Sequence, residues 1–434
     1  MTSPTDEKLD STTLVLASSP TTSSELHSPN LDPMTLPYII RFRILEFLPY
    51  TDLVHVEQVS KEWQAAANDY ELWRRLFYRT SPVHALRLPG IAEGYASITA
   101  SSSAPRQRCI FTNRQAKRHP QFPGWKEMLK TQIILTQRWI RGDCQIKYLP
   151  QHNDSVYCLQ FDAKRIITGA RDKSLRMWHP SNGKSFLPIF GAHQASVLCM
   201  RYDDDILVTG GSDAVVKVWS MPGLHLVRTL YAHSAGVLDV ALDPNFIATC
   251  SKDGTVKMWD RNDFSLIRTF YGHEGPVNAV QILNNRIVSA AGDSSIRVWD
   301  ASTGECLNIL REPHTRGYAC IRYDGRHIIS GSNDHKVRIW DPETGKVINT
   351  LQGHRDFVRS LCISEQWICS GSYDQTIKLW DRETGKLILD LQKGHDSWIF
   401  DVQFERTKIV SCCQEGRVCI WDFGNRGLPT QFIA

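Results

Sequence analysis

The chain has 434 residues, 42% of them hydrophobic and 22% charged, enough to bury a substantial core and to hold two folded units with tails. A formal net charge of +4, from 50 basic and 46 acidic residues, is too small for a protein whose main partner is nucleic acid, so any basic surface must be local. No apolar run reaches the roughly 18 residues of a membrane span, and LVLAS near the start lacks the length and basic flanks of a secretory signal.

The chain is therefore expected in the cytoplasm and nucleus. Its 12 cysteines include no C-x-x-C pair and lie mostly in apolar runs such as VYCLQF, so they are expected to be reduced, buried thiols with no metal and no other cofactor.

Residues 1–31 are rich in Ser, Thr and Pro and poor in apolar anchors, which predicts a disordered tail. Over 32–80 apolar residues return at helical spacing in IIRFRILEFL, DLVHVEQVSKEWQAA and ELWRRLFYR, predicting a small all-α module. Residues 81–143 read as a loop and helical linker. In GWKEMLKTQIILTQRWIRG, Trp125, Met128, Leu129, Ile133 and Trp139 suit one face of a helix that acts as a spacer.

From 144 to 434 the sequence repeats. Trp178, Trp219, Trp259, Trp299, Trp340, Trp380 and Trp421 recur every 40 or 41 residues, which is the signature of a repeat array. Each follows a His by 26 residues (His152, His193, His233, His273, His314, His354, His395) and an Asp by six (Asp172, Asp213, Asp253, Asp293, Asp334, Asp374), with Glu415 in the last unit. Four residues before each acid stands a Thr or Ser, for example Ser289. Within a unit, short apolar runs alternate with turns, as in VNAVQIL, RIVSA, SIRVWD and CLNIL, predicting a four-stranded antiparallel blade. Seven such blades bury their faces only by packing radially. The expected fold is an all-β seven-bladed propeller behind the helical module.

This repeat resembles the WD-repeat family, although the first two units have Trp178-His179 and Trp219-Ser220 in place of Trp-Asp. A hydroxyl, a His and an Asp per unit suggest a nucleophile relay. Sevenfold multiplicity argues against that relay and against a shared metal site, and the WD-repeat resemblance implies a structural tetrad in each blade instead, such as His273, Ser289, Asp293 and Trp299. The chain is expected not to be an enzyme.

The helical module resembles the F-box family through Leu36-Pro37, Ile44-Leu45, Leu48, Asp52-Leu53, Val59 to Lys61, Trp63 and Leu72-Trp73. That likeness implies an exposed apolar surface, including Leu36, Pro37, Ile44, Leu45, Leu48 and Leu53, for a Skp adaptor and through it a cullin/RING core. An F-box ahead of a WD array looks like a substrate receptor of an SCF ubiquitin ligase.

Two sets of positions should ring the channel mouth. The residue before each turn acid is Arg171, Ser212, Lys252, Gly292, Asn333, Tyr373 or Gln414. Five residues after each marker His stands Tyr157, Leu198, Leu238, Asn278, Ala319, Arg359 or Phe400, with Ser196 and Arg316-Gly317 in adjoining loops. Concentrated Arg with hydroxyl donors suits phosphate groups. SVYCLQFD, RIVSAAGDSSIRVW and RGYACIRY look like the beta-transducin-repeat-containing F-box proteins. That resemblance implies binding of phosphorylated substrates through a degron of the Asp-Ser-Gly-x-x-Ser type by Tyr157, Arg171, Ser196, Ser212, Lys252, Asn278, Arg316, Gly317, Asn333, Arg359 and Tyr373. Asn333 departs from the family's serine, and Phe357 from a smaller apolar residue. Two alternatives stay open: a receptor for a different degron, and a propeller scaffold without ubiquitin function. Dimerisation is compatible with either.

Overall fold

A computed structural model describes residues 36–80, 124–150, 152–180, 182–312, 316–424 and 428. The tail expected over 1–31 and most of the connecting loop lie outside the described residues. The chain divides into two compact units, with the boundary between Leu76 and Phe77.

Unit one is helical: α1 (Tyr38–Phe47), α2 (Tyr50–Val56), α3 (Lys61–Ala67) and the larger part of α4 (Tyr70–Thr80), which crosses the boundary in its last turn. Ser60 starts α3 by accepting the Trp63 N–H at 3.4 Å, and Asp69 starts α4 by accepting the Glu71 and Leu72 N–H groups at 2.7 and 3.2 Å. These side chains satisfy donors that a helix start leaves unpaired. Leu45, Leu53, Trp63, Ala66, Leu72 and Trp73 are buried between the helices.

In unit two, α5 (Trp125–Arg141) buries Trp125, Met128, Leu129, Leu135 and Trp139. Ile133, expected on the same face, is only half-buried. The C-terminal end of α5 is fastened to the propeller: the Trp139 ring stacks on Phe423 at 3.8 Å, and its indole N–H donates to the Arg406 carbonyl at 2.8 Å. The predicted spacer helix is thus part of the propeller's packing.

Seven four-stranded antiparallel sheets follow. The fourth, for example, pairs Val277–Leu283, Arg286–Ala291, Ile296–Asp300 and Cys306–Leu310 in order. In six blades all four strands are consecutive. The seventh takes its outermost strand, Gln145–Tyr148, from ahead of the first blade, pairing Gln145 with Asp422 and Tyr148 with Cys419. This closes the ring with backbone hydrogen bonds and leaves no blade short of a strand. Inner strands are buried almost throughout, and clusters such as Val280, Ile287, Met258 and Trp299 lie between adjacent blades.

Among the described residues, five of the seven blades are pinned by a full chain of hydrogen bonds. In the fourth, the Trp299 indole donates to Ser289 Oγ at 2.8 Å, Ser289 Oγ lies 2.8 Å from His273 Nε2, and His273 Nδ1 lies 2.9 Å from Asp293 Oδ2. One proton order satisfies every group: indole to hydroxyl, hydroxyl to neutral imidazole, imidazole N–H to carboxylate. Asp293 also accepts the backbone N–H groups of Glu274 and Ser295 at 3.0 and 2.9 Å, which fixes the turn. The following residue is forced into left-handed backbone even where it is not glycine: Lys173, Ala214, Ser294, His335 and Gln375 all have φ between 62° and 71°. Such conformations cost of order 1 kcal/mol and persist because the carboxylate over-determines the turn.

Two blades vary the scheme. In the fifth, His314 lies outside the described residues, and Asp334 receives two N–H groups of Arg338. In the seventh, Glu415 pairs with Arg417 instead, and buried His395 Nδ1 has no hydrogen-bond partner among the described residues.

Replacing Asp293 or Asp253 by Ala should cost about 1–3 kcal/mol, the usual cost of leaving a buried polar partner unpaired, read as a lower thermal midpoint. Acid should act in the same direction. Burial pushes the His152 and His395 imidazoles down from 6.5 to about 4. At Asp253 burial works upward, but hydrogen bonds from Thr255 and His233 outweigh it and hold the carboxyl at about 2, below its ordinary 3.8. Both folded values lie below the unfolded ones, so the unfolded chain binds more protons as pH falls. The thermal midpoint should be highest near pH 7, fall between pH 6.5 and 4, and fall again toward pH 2.

Candidate functional site

The face of the propeller carrying the acidic turns is built from two concentric rings. At the outer ring, the N–H groups of Arg171, Ser212, Lys252, Gly292, Asn333, Tyr373 and Gln414 donate to the carbonyls of Ser155, Ser196, Gly236, Pro276, Gly317, Phe357 and Trp398 at 2.7–3.0 Å. In the first six blades each side chain therefore stands on a backbone fixed from both sides, by this bond and by the adjacent aspartate, which accepts a turn N–H. Gly292 and Gly317 have a steric reason. A Cβ on Gly317 would lie 2.8 Å from the Gly292 Cα, because the backbones of two blades nearly touch there.

The inner ring comes from a β-bulge that recurs in every first strand. Pairing slips between Val156 and Cys158, between Val197 and Cys199, and at the matching place in the other five blades. The extra residue is left unpaired and re-aimed. Those residues are Tyr157, Leu198, Leu238, Asn278, Ala319, Arg359 and Phe400, and all seven line one cavity at the channel mouth. Asn278 is held by donating Nδ2–H to the Tyr318 carbonyl at 2.7 Å, and Arg359 by donating to the Ala319 carbonyl at 3.4 Å.

Each residue singled out in the sequence can now be placed. Arg171, Ser212, Lys252 and Arg316 are exposed, whereas Tyr157, Ser196, Asn278, Gly317, Asn333, Arg359 and Tyr373 are half-buried. Arg171 Nε lies 3.7 Å from Asp154 Oδ2, a long surface pair that offsets part of its charge. The fourteen ring positions carry Arg171, Lys252 and Arg359 as cations and no carboxylate. Burial raises the Tyr157 phenol above its ordinary value, so it stays a neutral donor.

Two features escaped the sequence reading. One is an aromatic sector over blades six, seven and one: Tyr373 stacks on Trp398 at 4.8 Å and lies 5.7 Å from Phe357, while Tyr157 lies 5.0 Å from Phe400. Trp398 occupies the position matched by Ser196 and Gly317, a signal that was available. The other is a charged lining deeper in the channel, with Arg201, Arg322, Asp239 and Asp401.

The helical unit corrects two expectations about its surface. Leu45 and Leu53 are wholly buried in its own core and are not exposed. The helix YIIRFRILEF is apolar on every side, so Leu45 faces inward while Ile39, Ile44 and Phe47 face outward, with Phe47 80% exposed. Pro37 is exposed, and Leu36 and Leu48 are half-buried.

Among the described residues no group of His, Cys, Asp or Glu could hold a metal ion, and no helix is long and apolar enough to cross a membrane. The described cysteines are all unpaired and mostly buried, with Cys306 exposed.

Comparison with known proteins agrees with this architecture. The model of the F-box-like family matches residues 34–79, and that of the WD domain, G-beta repeat, matches 143–179, 184–220, 224–260, 264–300, 304–341, 345–381 and 385–422. The "Probable E3 ubiquitin ligase complex SCF subunit sconB" of Penicillium rubens is 26% identical over 204 residues, covering 34% of this chain and 30% of the relative. An F-box protein of Saccharomyces cerevisiae is 26% identical over 153 residues, covering 34% and 23%. The chain thus spans less than a third of the length of these relatives. Among solved structures, the WD40 beta propeller domain of Doa1 superposes with a TM-score of 0.59 at 22% identity over 67% of this chain, a likeness of fold.

Leu45→Asp should unfold the helical unit, because it places an unpaired carboxylate in the core. Phe47→Asp should leave that unit's helical circular dichroism and melting unchanged. Equal melting of the two variants would contradict the inward and outward faces assigned to α1.

Proposed function

The chain belongs to the WD domain, G-beta repeat, family, and we propose that it is the substrate-recognition subunit of an SCF-type cullin ubiquitin ligase. In this reading the outward apolar residues of α1, with Pro37, dock a Skp adaptor and through it the cullin/RING core. The propeller face holds a phosphorylated degron of the Asp-Ser-Gly-x-x-Ser type. One observation carries the proposal: the fourteen ring positions around the channel mouth bear three cations and no carboxylate on a chain whose overall charge is nearly balanced. Guanidinium and ammonium groups amid Tyr, Ser and Asn donors match phosphate oxygens. The names of the two fungal relatives, an SCF subunit and an F-box protein, point the same way.

No residue of this chain need take part in covalent chemistry. The receptor raises the effective concentration of a substrate lysine at the charged conjugating enzyme, so its contribution is proximity. Lys252 joins Arg171, Ser212, Arg316 and Arg359 in receiving the phosphates and the acidic residue beside them, and Leu238 and Ala319 lie against the glycine. Degradation would follow in the cytoplasm and nucleus.

The aromatic sector of Phe357, Tyr373 and Trp398 favours a second reading, a receptor of the same ligase class for an apolar degron without phosphate.

Calorimetric titration separates the two. A charge-assisted hydrogen bond contributes roughly 1.5–3 kcal/mol, so Lys252→Ala or Arg171→Ala should weaken a doubly phosphorylated peptide by about one to two orders of magnitude, with melting nearly unchanged. The unmodified peptide should bind weakly and be insensitive to either substitution. Equal affinity for both peptides would reject the phosphate reading. Phe47→Asp should abolish co-purification of the Skp adaptor, and its retention would leave a scaffold without ubiquitin function.

A further inference from the structure

Below the ring of bulged residues, the first strands present a second inward row, three residues further along and therefore about 10 Å deeper at ~3.3 Å per residue. The row reads Gln160, Arg201, Ala241, Gln281, Arg322, Cys362 and Gln403. Where it holds glutamine, the side chain can clasp the next blade. Gln160 donates to the Tyr202 carbonyl at 2.9 Å and accepts the Tyr202 N–H at 2.8 Å, and Gln403 does the same with Phe161. Arginine has no acceptor and cannot make that two-way clasp. Arg201 and Arg322 instead line the channel cavity together with Arg359.

These three guanidinium groups make no ion pair among the described residues. Two carboxylates line the same cavity, but both are committed to stitching blades together. Asp401 accepts the Leu159 N–H at 3.0 Å, the Ser360 hydroxyl at 2.7 Å and the Val402 N–H at 2.9 Å. Asp239 accepts the Val280 and Val240 N–H groups at 3.1 and 2.9 Å. Burial and the nearby charge of Arg201 lower the pKa of Arg322, whereas Asp239 and Asp401 hold those of Arg201 and Arg359 up, so the cavity keeps all three guanidinium groups charged against two carboxylates. Among the described residues Arg201, Arg322 and Arg359 each donate only to a backbone carbonyl, at 3.4, 2.9 and 3.4 Å, which leaves guanidinium N–H groups over, and a planar guanidinium fork suits two oxygens of one tetrahedral anion.

We propose that the channel beneath the face is a binding site for a small oxyanion of the phosphate class, held between Arg201 and Arg322 with Arg359 above it. The anion has two sources, a free phosphate or a phosphate carried inward by a bound peptide. The site itself does not depend on the peptide reading.

The test is titration of inorganic phosphate into the full chain in phosphate- and sulfate-free buffer, with sodium chloride matched for ionic strength, following both calorimetric heat and the thermal midpoint. Phosphate should bind saturably and raise the midpoint beyond chloride. Arg201→Gln and Arg322→Gln should each weaken phosphate binding at least tenfold. Both should fold, because glutamine already occupies this row in three blades. Lys386→Gln, on a distant exposed turn, should change nothing. If either glutamine variant melts early, Arg322→Lys keeps the charge but loses the fork and should still weaken phosphate severalfold. A phosphopeptide arm distinguishes the sources. Competition between peptide and phosphate, with both weakened in Arg322→Gln, assigns the anion to the peptide; simultaneous binding assigns it to free phosphate. No phosphate effect beyond chloride, or one unchanged in all these variants, overturns the proposal.

Discussion

The proton-ordered chain from tryptophan indole through hydroxyl and imidazole to carboxylate is the constraint on which the rest of this propeller depends. In the fourth blade it buries four polar groups without leaving one unpaired, and its last member fixes the turn at the edge of the channel. A buried network is stabilising only when it is complete. Because that carboxylate adjoins the outer-ring residue, the polar core and the candidate recognition surface share one backbone. Arg171, Ser212 and Lys252 can differ freely in side chain while keeping one position in space.

A division of labour follows within each blade. The turn acids and their partners repeat, so they build a frame. The bulge then takes a single residue of the first strand out of the ladder and turns it toward the axis, at the cost of one pairing position and without disturbing the strand beyond it. Tyr157, Asn278 and Arg359 owe their common cavity to this repeated irregularity. Specific chemistry is carried at the places where regular pairing is relaxed.

Repetition also decides how much was legible in the sequence. Marker residues at constant spacing declare themselves seven times over, so the blade count, the tetrads and both rings could be read from Trp, His and Asp positions alone. Arg201, Arg322, Asp239 and Asp401 each break a row that is otherwise filled by other residue types, and a reading built on recurrence passes over such exceptions. The helical unit failed differently. With apolar residues on every side of α1, no periodicity distinguishes the inward Leu45 from the outward Ile44 or Phe47, and only packing against α3 decides. The strand that completes the last blade carries no marker at all, since QIKY resembles any short edge strand.

That closing strand has a consequence for synthesis. Lys147 and its partner Asp422 are 275 residues apart, yet they belong to one sheet. At roughly 5–20 residues per second, the ribosome needs about 14–55 s to deliver the second after the first. Throughout that interval Gln145–Tyr148 is a strand without a neighbour, and the earlier blades form an open arc with two bare ends. Such edges invite pairing with other chains. The propeller is therefore more exposed to aggregation while it is being made than once the ring has closed.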